Sequence, residues 1–313
     1  MRKKIGDAKK NLTKIAINRY HSGLIWDFNF SNPATYHRVN QTIRAGDVDI
    51  LYLIILAVIQ GLTEFLPVSS SGHLAMLPQI TGAQDQGLMM DVAVHVGTLG
   101  AVVLYFWSDV KLAFFGFFQL LRRQKTEGSR LALLLIIATI PVVIIGFILS
   151  VLDLTQHLRN LAVIGWSMLL FGILLYIMDQ RGTQTKTQAN WDTKDAWKLG
   201  LWQAVALIPG ASRSGMTITG ARALGYSRQE GAKIAMLMSI PTIIASGTLL
   251  GLEAASDGAW TALGTAAIAA VFAFVAGFFA LKLMMYFLRS ISFTPYVIYR
   301  IFLGIALLWL AYS

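Results

Sequence analysis

Along the chain, apolar runs long enough to cross a bilayer alternate with short polar stretches. About 20 apolar residues span the roughly 30 Å hydrocarbon core. Six runs reach that measure: about 88–107, 131–152, 161–178, 231–252, 259–285 and 296–313. Two other apolar segments, 48–59 and 199–208, stop short where polar residues and proline intervene, and each is followed by a second short segment, 72–80 and 214–224. A short apolar helix that breaks at Pro, Gly and Ser and turns back predicts a re-entrant pair, because irregular backbone is tolerated at membrane depth only where protein or water satisfies it. The pattern therefore predicts an all-α polytopic membrane protein with six full spans and two re-entrant helix pairs.

The two breaks are related. Gln-Gly-Leu-Thr-Glu-Phe-Leu-Pro-Val-Ser-Ser-Ser-Gly-His (Gln60 to His73) lies over Gln-Ala-Val-Ala-Leu-Ile-Pro-Gly-Ala-Ser-Arg-Ser-Gly-Met-Thr (Gln203 to Thr217) without a gap at an offset of 143 residues. Gln60 meets Gln203, Ser69 meets Ser212, Ser71 meets Ser214 and Gly72 meets Gly215. Each half is one re-entrant pair followed by three spans, and three is odd. The second half then starts on the opposite face, which predicts an inverted-topology repeat (about 48–180 and 196–313) within a single membrane domain, 48–313. The two polar turns should converge on one site.

Composition agrees and narrows the choice. Of 313 residues 56% are hydrophobic and 13% charged, with a mean hydropathy of +0.60, which excludes a soluble globule. There is no cysteine, so disulfides and thiolate metal sites are excluded. The net charge of +10 does not indicate nucleic acid, because the basic residues sit between apolar runs. Stretches 108–130, 179–198, 222–233 and 282–291, read as loops, hold fourteen Lys and Arg, whereas 81–87, 153–160 and 253–258 hold only Arg159. By the positive-inside rule the first set is cytoplasmic and the second external. That places the C-terminus and the ends of the first hairpin outside. Residues 1–47, a basic leader, carry nine Lys and Arg and contradict that placement: either the first hairpin crosses fully, or the leader is disordered, or it is not native and the natural chain begins near Val48, and the last is the expectation.

Chemistry concentrates in the two breaks. Glu64 and Asp91 are the carboxylates within membrane segments, and a charge at mid-bilayer costs about 3 kcal/mol or more unless paired or solvated. Glu64 is the site candidate of the two, and Gln60 lies one turn before it on the same helix face. Arg213 sits among Ser212, Ser214 and Thr217 in a turn containing Gly210 and Gly215, an environment for an oxyanion. His73 follows Ser70 by three residues, near enough on a helix for phosphoryl transfer by the pair. His95 reads as a satisfied polar contact.

These motifs resemble those of the undecaprenyl-diphosphate phosphatases of the bacitracin-resistance type, and the resemblance extends through Ser-Phe-Thr-Pro-Tyr-Val-Ile-Tyr-Arg (Ser292 to Arg300) to the C-terminus. It covers about 48–313. It implies a multi-pass enzyme of the bacterial inner membrane whose site faces the periplasm. Such an enzyme hydrolyses undecaprenyl diphosphate to the monophosphate, recycling the lipid carrier for peptidoglycan and conferring bacitracin resistance. By the family pattern Glu64, Ser70, His73 and Arg213 form the core of the site. Gln60, Ser69, Ser71, Gly72, Gly210, Ser212, Ser214, Gly215 and Thr217 then bind substrate around it. A divalent cation, Mg²⁺ or Ca²⁺, would bridge the phosphates to Glu64; since position 60 is Gln, a two-carboxylate metal site is not expected. Ser70 and His73 both remain open as the nucleophile. The alternative from another class is a transporter or flippase of a lipid phosphate or anion, since inverted repeats with broken helices build secondary transporters. Gly264, Ala270 and Gly277 would permit close helix packing within the protomer or across a homodimer.

Overall fold

The computed structural model describes residues 50–81, 88–152, 158, 160–256 and 263–313. The expectation for residues 1–47 lies outside them. The described residues form helices and no strand. In chain order these are α1 (Ile50–Phe65), α2 (Ser70–Thr81), α3 (Leu88–Tyr105), α4 (Trp107–Leu121), α5 (Glu127–Val151) and α6 (Leu161–Arg181). After a short 3₁₀ turn at Gln188–Asn190 come α7 (Thr193–Val205), α8 (Arg213–Ala223), α9 (Arg228–Ser256), α10 (Leu263–Phe287) and α11 (Thr294–Tyr312). Helix is the outcome the apolar runs require, since a backbone in lipid must satisfy its own N–H and C=O groups.

Both expected hairpins are helix pairs broken at the predicted residues: α1 and α2 at Leu66–Ser69, α7 and α8 at Ala206–Ser212. Five helices are long and apolar enough to cross a membrane, α5, α6, α9, α10 and α11, and a sixth span is made if α3 and α4 count as one. That pair is bent by 95°. The expectation of a loop over 108–130 is corrected here, because α4 occupies most of it. Its Phe114, Phe115, Phe117, Phe118 and Leu121 are all exposed, a surface that suits the membrane interface and was hidden in the sequence by the interspersed Lys111 and Asp109.

Where polar residues begin a helix they cap it. Thr126 makes a reciprocal capping box with Ser129 at the start of α5, while the side chains of Asn160 and Asp192 accept from backbone N–H groups at the starts of α6 and α7.

The first helix of each broken pair packs on a long apolar helix, α1 on α10 and α7 on α5. Glycine makes both approaches possible: a Cβ at Gly61 would lie 2.6 Å from the Ala273 carbonyl oxygen, and one at Gly200 2.5 Å from that of Ala138. The small residues of α10 are used in the same way within the protomer. Ala270 faces Gly97 and Gly277 faces Gly61, whereas a Cβ at Gly264 would meet nothing within 4 Å among the described residues.

Away from the breaks, a buried charge cluster ties α6 to the α8–α9 corner. Asp179 accepts from Arg222 Nε at 3.0 Å, from Arg228 Nε at 2.8 Å and from the Phe293 amide at 3.1 Å. Tyr226 closes the neighbouring turn by donating to Asp195 at 2.8 Å, and burial together with that bond pushes its hydroxyl above the usual phenol range.

Candidate active site

The two turns have the same backbone oddity at equivalent positions. Ser69 (φ +70°) and Ser212 (φ +72°), 143 residues apart, are both left-handed, a conformation that costs a non-glycine residue about 1–3 kcal/mol unless its surroundings enforce it. The hydroxyls repeat as well: Ser69 Oγ lies 3.0 Å from Ser71 Oγ, and Ser212 Oγ 3.2 Å from Ser214 Oγ. Each left-handed serine reverses the chain so that α2 and α8 begin at once, with their first residues, Ser70 and Arg213, at equivalent places.

Both of those residues reach Glu64. Ser70 Oγ donates to Glu64 Oε2 at 2.9 Å, Gln60 Nε2 donates to the same oxygen at 2.8 Å, and Arg213 forms an ion pair with Oε1. The second turn is also laced to the first. Ser214 Oγ donates to the Leu66 carbonyl at 3.0 Å, and Gly210 N–H donates to Ser71 Oγ at 3.2 Å. Between the turns lies a cavity of about 200 Å³ lined by Glu64, Ser69, Ser70, Ser71, His95, Ala206, Ser212 and Arg213. The first-turn amides of α2 and α8 add partial positive charge there, so an anion is the natural guest.

One side chain from the far end of the chain holds this arrangement in register. Arg300, on α11 and fully buried, donates to the carbonyls of Gly210 (3.0 Å), Ala211 (3.1 Å) and Pro67 (3.4 Å), so one guanidinium pins both turns. A Cβ at Gly215 would lie 2.9 Å from Arg300 Nη1, which is why α8 carries glycine there.

The structure thus gathers Glu64, Ser69, Ser70, Ser71, Ser212 and Arg213 around one space, with Gln60, Gly210 and Ser214 bonded directly to them. Thr217 lies one turn along α8, donating to the Arg213 carbonyl at 3.0 Å. Gly72 faces Met168 and lets α2 pack on α6. Two placements differ from the reading by spacing. His73 does not line the cavity: its Nδ1 donates to the Ser69 carbonyl at 2.8 Å, and its Nε2 accepts from Tyr299 Oη at 2.6 Å over a stacked ring. Helical side chains lean toward the N-terminus, which carries this imidazole back over Ser69 instead of across to Ser70. His95, read as an isolated polar contact, is the imidazole that lines the cavity. Arg300 was named in the sequence only as the end of a motif.

No group of three or more His, Asp or Glu side chains arranged for a metal occurs among the described residues. One carboxylate and several serine hydroxyls still fit a hard cation of the Mg²⁺ kind, which binds through one or two carboxylates and otherwise through phosphate oxygens and water.

Comparison with known proteins matches the sequence to a family. The family model described as bacitracin resistance protein BacA matches residues 53–306. The chain belongs to that family. Curated relatives named undecaprenyl-diphosphatase include one from Dinoroseobacter shibae, 60% identical over 265 residues (84% of this chain, 99% of the relative). Another, from Ruegeria pomeroyi, is 60% identical over 267 residues (85% and 100%). The Rhodospirillum rubrum protein named undecaprenyl-diphosphatase 1 is 45% identical over 269 residues (84% and 95%).

Proposed function

We propose that this membrane protein is an undecaprenyl-diphosphate phosphatase, cleaving the terminal phosphate from the lipid diphosphate to release inorganic phosphate and undecaprenyl phosphate. The observation that carries the reading is the convergence of Ser70 and Arg213, equivalent residues of two turns, on the buried carboxylate of Glu64. Relatives that share 60% of their residues with it carry the name of that activity.

The chemistry follows from the donors. Arg213 has further N–H groups beyond the one spent on Glu64, and with the amides of α2 and α8 it grips the diphosphate oxygens, each charge-assisted bond contributing about 1.5–3 kcal/mol. Ser70 is the attacking group supported by the geometry, because its Oγ already donates to Glu64 at 2.9 Å, whereas His73 is engaged elsewhere. As the Oγ–P bond forms and the bond from phosphorus to the bridging oxygen breaks, the Ser70 proton passes to Glu64 and then to the departing lipid phosphate. A water next attacks the phosphoserine; its proton passes to Glu64 and on to Ser70 Oγ as the Oγ–P bond breaks, so inorganic phosphate leaves with Ser70 and Glu64 restored. His73 acts on the turn, holding the Ser69 carbonyl. Glu64 is the residue that would hold a divalent cation, Mg²⁺ or Ca²⁺, which would supply charge neutralisation there.

The architecture we infer is the inverted repeat, six spans and two re-entrant pairs, in the bacterial inner membrane with the site opening to the periplasm. The interlocked hairpins and the paired left-handed serines support it. The prenyl tail lies in the apolar groove of about 420 Å³ lined by Trp166, Ile305, Leu308, Trp309 and Tyr312, whose two helices, α6 and α11, also pack on α2. Turnover of this lipid returns the carrier to peptidoglycan synthesis and gives bacitracin resistance. The test is phosphate release from undecaprenyl diphosphate by purified protein in detergent. Wild type should release phosphate and lose activity with chelator, and Arg213→Ala should be inactive. Binding without release would make it a carrier instead.

A further inference from the structure

Glu64 is not held by the two turns alone. A chain of hydrogen bonds approaches it from α3, beginning at the Asp91 carbonyl, which accepts from His95 Nδ1 at 2.7 Å. That bond leaves Nε2 of a neutral ring as an acceptor, 3.4 Å from Gln60 Nε2, and the same amide nitrogen donates to Glu64 Oε2 at 2.8 Å. The alternative amide orientation would set Gln60 Oε1 against an ionised carboxylate that is paired with Arg213, and is excluded by repulsion. Gln60 is fully buried, and its Oε1 has no partner among the described residues. On the amide nitrogen's side Glu64 Oε2 and His95 Nε2 are the two acceptors.

We propose that His95 is a positioning residue, a neutral acceptor that locks the Gln60 amide with its NH₂ toward Glu64 and thereby aims the carboxylate at Ser70. The inference rests on the phosphatase reading and extends it by a residue from a helix outside both motifs. His95 acts only through Gln60 and exchanges no proton with the substrate; Glu64 and Arg213 are the charged groups facing it across the cavity, and Asp91 lies one turn away on its own helix.

Four consequences separate this from a packing role. In phosphate release from undecaprenyl diphosphate, His95→Leu should lower kcat by about 10- to 100-fold, the usual cost of losing a residue that orients a reacting group, with KM changed less than 3-fold. His95→Gln, whose side-chain oxygen accepts from Gln60, should keep at least a third of kcat. In a Gln60→Leu background His95→Leu should have no further effect beyond 2-fold, since the relay is already broken. Gel filtration and thermal unfolding of each variant in detergent identify any that fail to fold. Equal losses in His95→Gln and His95→Leu would overturn the proposal by pointing to proton transfer from the ring, and full activity of both would overturn it outright. A readout independent of turnover is the nitrogen spectrum of ¹⁵N-histidine-labelled protein, with His95 assigned by its absence from His95→Gln. The expected species is the neutral ring protonated at Nδ1, with an Nε2 signal that moves in Gln60→Leu; a doubly protonated ring, or no response, contradicts the proposal even if wild type releases no phosphate. Absence of phosphate release from wild type, by contrast, strikes the phosphatase reading alone.

Discussion

Replacing Arg300 with methionine separates stability from alignment. The substitution keeps length and apolar packing but removes two bonds of ordinary length, to Gly210 and Ala211, and one long one, to Pro67. At about 1.5–3 kcal/mol for each bond from a charged donor, the first two together are worth about 3–6 kcal/mol, and the third adds little. Methionine also abolishes the cost of keeping a guanidinium without water, a few kcal/mol, so the net loss should be about 1–3 kcal/mol. In a chain of this size that lowers the Tm by several degrees at most. Activity should fall much further. The clamp aligns Ser70 on one turn with Arg213 on the other, and a displacement of about 1 Å costs about 100-fold in rate. The assay is kcat for phosphate release beside thermal unfolding in the same detergent. A kcat within 3-fold of wild type, with the protein folded, would refute the claim that this buried cation keeps the turns in register.

Other outcomes follow from the same contacts. Ser70→Ala should remove at least about 1,000-fold of kcat with little change in substrate binding, because the attacking oxygen is lost while Arg213 stays; measurable phosphoserine at Ser70 in wild type quenched during turnover is the companion observation. Gly210→Ala combines a left-handed φ of +89° with a Cβ driven against the Ile164 carbonyl. It should cost at least about 2 kcal/mol, read as a lower unfolding midpoint, and activity with it. Asp179→Asn leaves Arg222 and Arg228 without their shared carboxylate in a buried site, for a loss of about 3–5 kcal/mol by thermal unfolding. Tyr226→Phe should be milder, about 1–2 kcal/mol, since it leaves Asp195 its partner Lys186.

Much of the site was legible because it is local. The 143-residue offset aligned the two turns before any coordinate did, and Gln60 and Glu64 share a helix face whatever the helix packs against. The failures are equally physical. Spacing placed His73 beside Ser70, but where α2 begins decides which way the ring swings, and it swings to Ser69 and Tyr299. Charge count made 108–130 a loop, yet two charged residues on a helix with four exposed phenylalanines do not prevent it from lying along an interface.

Composition and periodicity by themselves determined that the chain lives in lipid, that two helices break, and which polar residues stand at the breaks, because burying backbone without water admits few solutions. Only the tertiary structure decided that Ser70 and Arg213 meet on Glu64, that Arg300 ties the turns from α11, and that His95 instead of His73 faces the cavity. Those pairings join residues up to 233 positions apart, and the angle at which two helices pack is set by every contact between them, a property no spacing along one segment contains.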